Sequence, residues 1–245
     1  MGFSFSRPFR WFLNLIFPPV CPICQAPFGG QGEDLIICPD CQKAIRPVRP
    51  PYCPCCGLPY PTGDGEGHLC GPCLKEKWYF EVHRTCALYE GALKEAIHRF
   101  KYGGVFPLVR VFGDLLQPPL QTLIEDYPVD VMVPVPLHIR RLRERGFNQA
   151  LLLVRELSKR TGIPYEERAL AKIKDTPVQI ALKKRERRKN LKGAFQVKDQ
   201  EAIKGKAVVL VDDVYTTGAT VNECSRTLLE GGAGKVAILT VARAI

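Results

Sequence analysis

Apolar positions along this chain form two alternating patterns, short continuous runs and stripes at helical spacing. Residues 208–211 (VVLV) are four consecutive apolar residues, three of them β-branched, which suits a parallel strand buried on both faces. Comparable runs predict strands over 83–89, 129–136 (VDVMVPVP), 168–173, 206–212 and 235–243. Between them, Leu93, Ile97 and Phe100 recur at helical spacing through 92–102, with Lys94 and Lys101 near the helix ends and Gly103-Gly104 closing it. A second helix is predicted over 106–116, a third over 148–160 with Leu151, Val154 and Leu157 inward, and a fourth from Ala219 with Val221, Cys224, Leu228 and Leu229 as its stripe. Strand and helix therefore alternate, the signature of a doubly wound α/β sheet.

The first third of the chain follows a different chemistry. Ten of the eleven cysteines fall between Cys21 and Cys86, leaving only Cys224 beyond. Cys21, Cys24, Cys38 and Cys41 give C-x2-C, thirteen residues, C-x2-C; Cys53, Cys56, Cys70 and Cys73 repeat that spacing 32 residues later. Each knuckle presents two thiolates, and two knuckles close a four-thiolate shell of the structural zinc type. Two zinc ions would then replace a core that segments this small cannot build. Ligation is either sequential, one unit per ion, or cross-braced, first knuckle with third; the duplicated spacing favours the sequential form. Cys55 lies inside the third knuckle as a possible substitute ligand, while Cys86 and Cys224 read as small buried hydrophobes. Disulfides are the competing use of these cysteines. A boundary near residue 78 divides a zinc-binding unit (1–78) from an α/β unit (79–245), with 47–51 (PVRPP) as a stiff spacer between the cysteine units.

Charge and termini narrow the partners. The formal charge is +10, and since each four-thiolate zinc site carries a net charge of −2, two sites reduce it to about +6. The excess favours an anionic partner. No segment has the length and apolarity to span a bilayer. The start, MGFSFSRPFRWFLNLIFPPV, resembles a signal peptide superficially, but Asn14 interrupts its apolar run and Pro18-Pro19-Val20 is no small-residue cleavage site. It reads as a short amphipathic helix docking on a neighbouring surface. With no export signal and cysteines at metal spacing, the compartment indicated is the reducing cytoplasm.

Two loops carry candidate chemistry. After the 208–211 run come Asp212 and Asp213, then Tyr215, Thr216, Thr217, Gly218, Ala219 and Thr220 at the start of a helix. Free N–H groups at a helix start suit a phosphate monoester, whereas paired acids accept hydrogen bonds from vicinal hydroxyls; together they describe a ribose phosphate. After the 129–136 run comes LHIRRLRERG, a loop with Arg140, Arg141 and Arg145 at its mouth, whose guanidinium forks match phosphate oxygens. Residues 174–191 are basic and poor in apolar periodicity, a solvated segment by default.

VVLVDDVYTTGAT resembles the phosphoribosyl pyrophosphate (PRPP) signature of type I phosphoribosyltransferases. That resemblance implies that Asp212 and Asp213 hold the ribose hydroxyls while Thr216, Thr217, Gly218, Ala219 and Thr220 wrap the 5-phosphate. It puts Arg140, Arg141 and Arg145 at the pyrophosphate, so that Asp212, Asp213, Arg140 and Arg141 surround the reacting centre, with magnesium bridging ribose and pyrophosphate oxygens. It also makes 174–191 a flexible loop that closes over PRPP, with Gln179, Arg185, Arg187, Arg188 and Asn190 as the side chains to test. More narrowly, FPPVCPIC, IHRFKYGG, VPVPLHIRRLRERGFNQA, ERRKNLKGAF and VVLVDDVYTTGAT, in that order, resemble the ComF family, double zinc ribbon phosphoribosyltransferase-like proteins linked to DNA uptake in natural transformation. Membership implies a type I phosphoribosyltransferase fold behind a double zinc ribbon and a role alongside incoming single-stranded DNA. The alternative is a non-catalytic module that binds nucleic acid through ribbons, basic loops and aromatics such as Phe147 and Tyr215, or that docks a partner of the DNA-uptake machinery. No acceptor base or nucleobase hood is legible.

Overall fold

The computed structural model describes residues 18–28, 35–60, 67–176 and 190–245. The predicted N-terminal amphipathic helix, and Gln179, Arg185, Arg187 and Arg188, lie outside these residues.

Four parallel strands form the central sheet, β1 (Val82–Leu88), β2 (Val131–Pro134), β5 (Ala207–Tyr215) and β6 (Lys235–Arg243), in the order β1-β6-β5-β2. Strands β3 (Leu170–Lys172) and β4 (Phe195–Val197) pair antiparallel as a separate ribbon. Helices are α1 (Pro39–Ala44), α2 (Gly71–Lys75), α3 (Gly91–Gly103), α4 (Leu108–Asp126), α5 (Ile139–Arg145), α6 (Gln149–Thr161) and α7 (Ala219–Glu230).

The central strands are buried on both faces because each face carries its own apolar set. Side chains alternate along a strand, and so Val209, Val211, Ala237, Leu239 and Val241 pack on one side with helices α3, α4 and α6. Val208, Leu210, Val236 and Ile238 pack on the other with α7 and the β3–β4 ribbon. The cysteine units divide in the same way. Cys21, Cys38 and Cys41 belong to the first cluster, against α3, while Cys53, Cys56 and Cys70 belong to the second. The units are stitched to edge strand β1 through Val48 N–H to Cys86 O (2.9 Å) and His83 N–H to Cys55 O (2.7 Å).

Three elements depart from the sequence expectation. The second helix does not stop at 116 but runs through Pro118 and Pro119 to Asp126. Proline removes an N–H and usually breaks a helix, yet here Pro118 is exposed and Pro119 partly so, while Leu116, Leu120 and Leu123 stay buried, so packing carries the helix across two missing bonds. The arginine-rich loop is helix α5, capped by His138, which accepts from Arg140 N–H at 3.4 Å, and ended by Gly146 in the left-handed region at φ 82. Strand β5 does not end at the acid pair, since its pairing to β6 continues through Tyr215↔Arg243.

Candidate functional site

The acid pair occupies the sixth and seventh of the nine positions of β5, and strand alternation separates the two carboxylates. Asp213 shares the face of Val209 and Val211 and meets α3, where Lys101 Nζ lies 2.6 Å from its Oδ1. Asp213 is 4% exposed, and its Oδ2 is buried with no hydrogen-bond partner among the described residues. The Lys101 ammonium is raised: burial alone would lower it, but the Asp213 charge and hydrogen bond outweigh burial. Asp212 takes the opposite face, beside Lys172 of β3, and its Oδ1 accepts the Asp213 N–H at 2.9 Å. Burial, then the Asp213 charge, push its carboxyl up to about 7. The two acids therefore differ: Asp213 is ion-paired to Lys101, whereas the Asp212 carboxyl is raised to about 7.

Beyond the strand, Thr216 to Gly218 form the loop, and Ala219 and Thr220 open α7. Thr216 is exposed, Thr217 and Thr220 are half-buried, and Gly218 and Ala219 are buried. Gly218 is the helix N-cap at φ 74, with no side-chain cap hydrogen bond. Thr217 Oγ1 accepts from Ala219 N–H only at 3.5 Å. The first amides of α7 are therefore close to uncommitted, as an anion cradle requires.

The arginines divide. Arg141 and Arg145 join Lys101, Tyr102, Phe106, Glu144 and Phe147 around a cleft of about 430 Å³. Arg140 does not line it, bonding instead to Glu144 at 3.1 Å and Asp175 at 3.2 Å. Arg141 is also held by Glu144, at 3.1 Å, and Arg145 by Gln149 Oε1, at 2.6 Å. Lys101 links cleft and acid pair because it lines the one and pairs with the other. Asn190 is exposed at the edge of the basic segment. The two ends of that segment are brought together by Ile173 N–H to Ala194 O (2.8 Å) and Lys174 Nζ to Lys192 O (3.0 Å), while Glu223 of α7 accepts from Gly193 N–H at 2.6 Å.

Sequence reasoning missed Lys101, Lys172 and Asp175 as site residues. Only Lys101 left a signal, as part of IHRFKYGG. Tyr215, expected as a stacking platform, is 3% exposed, packed against His83 (ring centroids 4.3 Å apart) and the Arg243 guanidinium (4.7 Å). No base can reach it.

Each cysteine unit fits zinc. Ligand atoms of Cys21, Cys24, Cys38 and Cys41 lie within 4.8 Å of one another, as do those of Cys53, Cys56, Cys70 and Cys73. The grouping is sequential, excludes Cys55, and leaves all eleven cysteines free of disulfides. Sulfurs of facing knuckles are 3.6 Å (Cys24–Cys38) and 3.5 Å (Cys56–Cys70) apart. That is close to the edge of about 3.8 Å that Zn–S bonds of about 2.3 Å give a tetrahedron. Backbone N–H groups of Cys38 and Cys70 reach Cys21 and Cys53 sulfurs at 3.4 Å, as thiolate acceptors invite. Metal analysis is expected to find two zinc ions per chain, falling to one in Cys41→Ser and to one in Cys73→Ser. Loss of both ions in either variant would contradict independent units.

Comparison with known proteins agrees with both halves. A double zinc ribbon domain model matches residues 12–87, and a phosphoribosyl transferase domain model matches 148–245. The chain is 34% identical to Competence protein F of Haemophilus influenzae, over 71% of this chain and 78% of that one. It is 34% identical to DNA utilization protein YhgH of Escherichia coli K12, over 94% and 100%. Competence protein ComFC of Bacillus subtilis is 31% identical over 72% and 78%.

Proposed function

This chain belongs to the ComF family, with a type I phosphoribosyltransferase fold behind a double zinc ribbon, and from that premise we propose that it binds PRPP or a related ribose phosphate with magnesium. The observation that carries the proposal is Asp213 Oδ2, buried and without a donor among the described residues. A buried carboxylate oxygen without a donor costs about 1–3 kcal/mol, and a ribose hydroxyl at the strand end would satisfy it. Asp212 accepts the second hydroxyl, the amides after Gly218 take the monoester, and Lys101, Arg141 and Arg145 line the path for the pyrophosphate. Relatives named for competence and DNA utilization support work alongside single-stranded DNA taken up by the cell.

Calorimetry with PRPP and magnesium tests this directly. The Asp212→Asn, Asp213→Asn double variant is expected to weaken binding about 100-fold, in line with charge-assisted hydrogen bonds of about 1.5–3 kcal/mol. Equal affinity in both proteins would remove the proposal. The pH dependence has a definite sign. A diol donates to the ionised carboxyl, so the proton on Asp212 competes with it, and affinity should drop up to about tenfold per pH unit below 7. Without ligand, the raised Asp212 stabilises the fold fully below its unfolded value of 3.8, and that contribution is lost as pH rises through about 7. Magnesium-dependent release of pyrophosphate measures turnover.

A second reading, nucleic-acid binding without turnover, is favoured by Tyr102 and Phe106, which are 67% and 53% exposed beside Arg141 and Arg145. Bases stack on such rings while guanidinium groups track phosphate. In that case affinity for short single-stranded DNA falls steeply with salt and is indifferent to the Asp212→Asn, Asp213→Asn change.

A further inference from the structure

We propose that the second cysteine unit braces the phosphate loop, with Arg243 and Asn222 as the positioning residues that transmit its state to Gly218, Ala219 and Thr220. Two separate ties carry this. The first runs through Arg243, at the end of β6 and 6% exposed. Its guanidinium donates to the Cys56 carbonyl, brings Nη2 to 3.7 Å from Cys56 Sγ, and lies over the Tyr215 ring at 4.7 Å. The same ring stacks with His83, ring centroids 4.3 Å apart, and His83 is itself fixed by Cys56 O and Thr240 Oγ1, each at 2.8 Å. The Tyr215 ring in turn presses on Gly218, where an added Cβ would sit 2.6 Å from Cζ.

The second tie uses the chain that leaves the unit. Residues 77–79 follow α2, which carries Cys73. Tyr79 N–H donates to Asn222 Oδ1 at 2.8 Å, and Asn222 Nδ2 donates back to Lys77 O at 3.2 Å. Asn222 sits in the first turn of α7, and its own N–H bonds to Gly218 O at 2.9 Å. Between them Trp78 closes on Gly218, 2.8 Å from the position of an added Cβ.

The unit thus grips the loop from its Cys56 knuckle and from the segment 77–79 after its Cys73 knuckle. The loop needs external support, since its N-cap is a glycine with no side-chain hydrogen bond. The first unit packs on the opposite face of the sheet, against α3, and makes neither tie. Zinc at Cys53, Cys56, Cys70 and Cys73 fixes the two knuckles, and through them the loop's amides. The inference rests on the ribose-phosphate reading for its consequence, although the coupling itself is readable without ligand.

Amide hydrogen exchange on the full-length chain tests it, paired with zinc content and with calorimetry using ribose 5-phosphate. Arg243→Lys and Asn222→Ala are expected to keep two zinc ions and full protection of β2, yet raise exchange at 218–222 at least tenfold and weaken ribose 5-phosphate about fivefold to tenfold. Cys73→Ser, down to one zinc, should loosen 218–222 and weaken ribose 5-phosphate likewise, while Cys41→Ser, also down to one zinc, should leave 218–222 protected. Unchanged exchange in Arg243→Lys and Asn222→Ala, or equal loosening in both cysteine variants, would overturn the brace. If exchange responds as stated while ribose 5-phosphate binds to no variant and not to the wild type, the brace stands and the ribose-phosphate reading falls.

Discussion

Replacing Lys101 by Ala is expected to lower the unfolding free energy by about 3–5 kcal/mol, the cost of leaving one partner of a buried ion pair alone. The side chains of Lys101 and Asp213 are 18% and 6% exposed, and their charged atoms are 2.6 Å apart. Removing the ammonium leaves a carboxylate that already has one unsatisfied oxygen and stands beside a second acid. The strand end must then take up a proton or open. The reverse change, Asp213→Leu, strands a buried ammonium and should cost a similar amount. The double replacement Lys101→Met, Asp213→Leu should recover most of the loss, because an apolar pair of similar volume needs no desolvated charge. Urea unfolding of the three variants gives the comparison. A single-variant cost below about 1 kcal/mol, typical of exposed pairs, would mean that the pair is open to water and holds nothing together.

That pair also marks where sequence reasoning ran out. Runs such as VVLV and KVAILTVAR need apolar neighbours on both faces whatever the rest of the chain does, so the strands and their burial are locally encoded, whereas the order β1-β6-β5-β2 is set by pairing between distant segments. Cysteine spacing is equally local, since two knuckles one short loop apart can reach one ion, and the sequential grouping follows. Lys101 and Asp213 belong to distant segments, brought together only because α3 packs across the face that Asp213 shares with Val209 and Val211. No periodicity announces such a meeting. Helix α4 shows tertiary packing overriding local preference, as Leu120 and Leu123 bury beyond two prolines that would stop an isolated helix. Tyr215 shows the same for burial: its place in the motif suggested an exposed ring, yet the second cysteine unit covers it with His83 and Arg243. The motif was legible as a chemical pattern, whereas the direction of each side chain in it depended on partners from elsewhere in the chain.

Gly218→Ala is expected to cost about 3–4 kcal/mol in stability and to abolish ribose 5-phosphate binding, from two sources that a control can separate. The first is conformational: Gly218 sits at φ 74, where a residue with a Cβ is strained by about 1–2 kcal/mol. The second is steric, since the new Cβ would lie 2.6 Å from Tyr215 Cζ and 2.8 Å from Trp78 Cζ3. Neither ring can retreat cheaply, because Tyr215 is buried against His83 and the Arg243 guanidinium and the residue after Trp78 is pinned to Asn222. Overpacking of this kind adds about 1–3 kcal/mol. Gly205 is the control, at φ 69 with nothing within 4 Å of an added Cβ, so Gly205→Ala should show the strain alone. Equal costs in the two variants would mean that Tyr215 and Trp78 yield, and a loop with yielding walls could not hold its amides in fixed positions around a phosphate. A larger cost at Gly218, with binding lost there and kept in Gly205→Ala, ties the rigidity of those walls to the site.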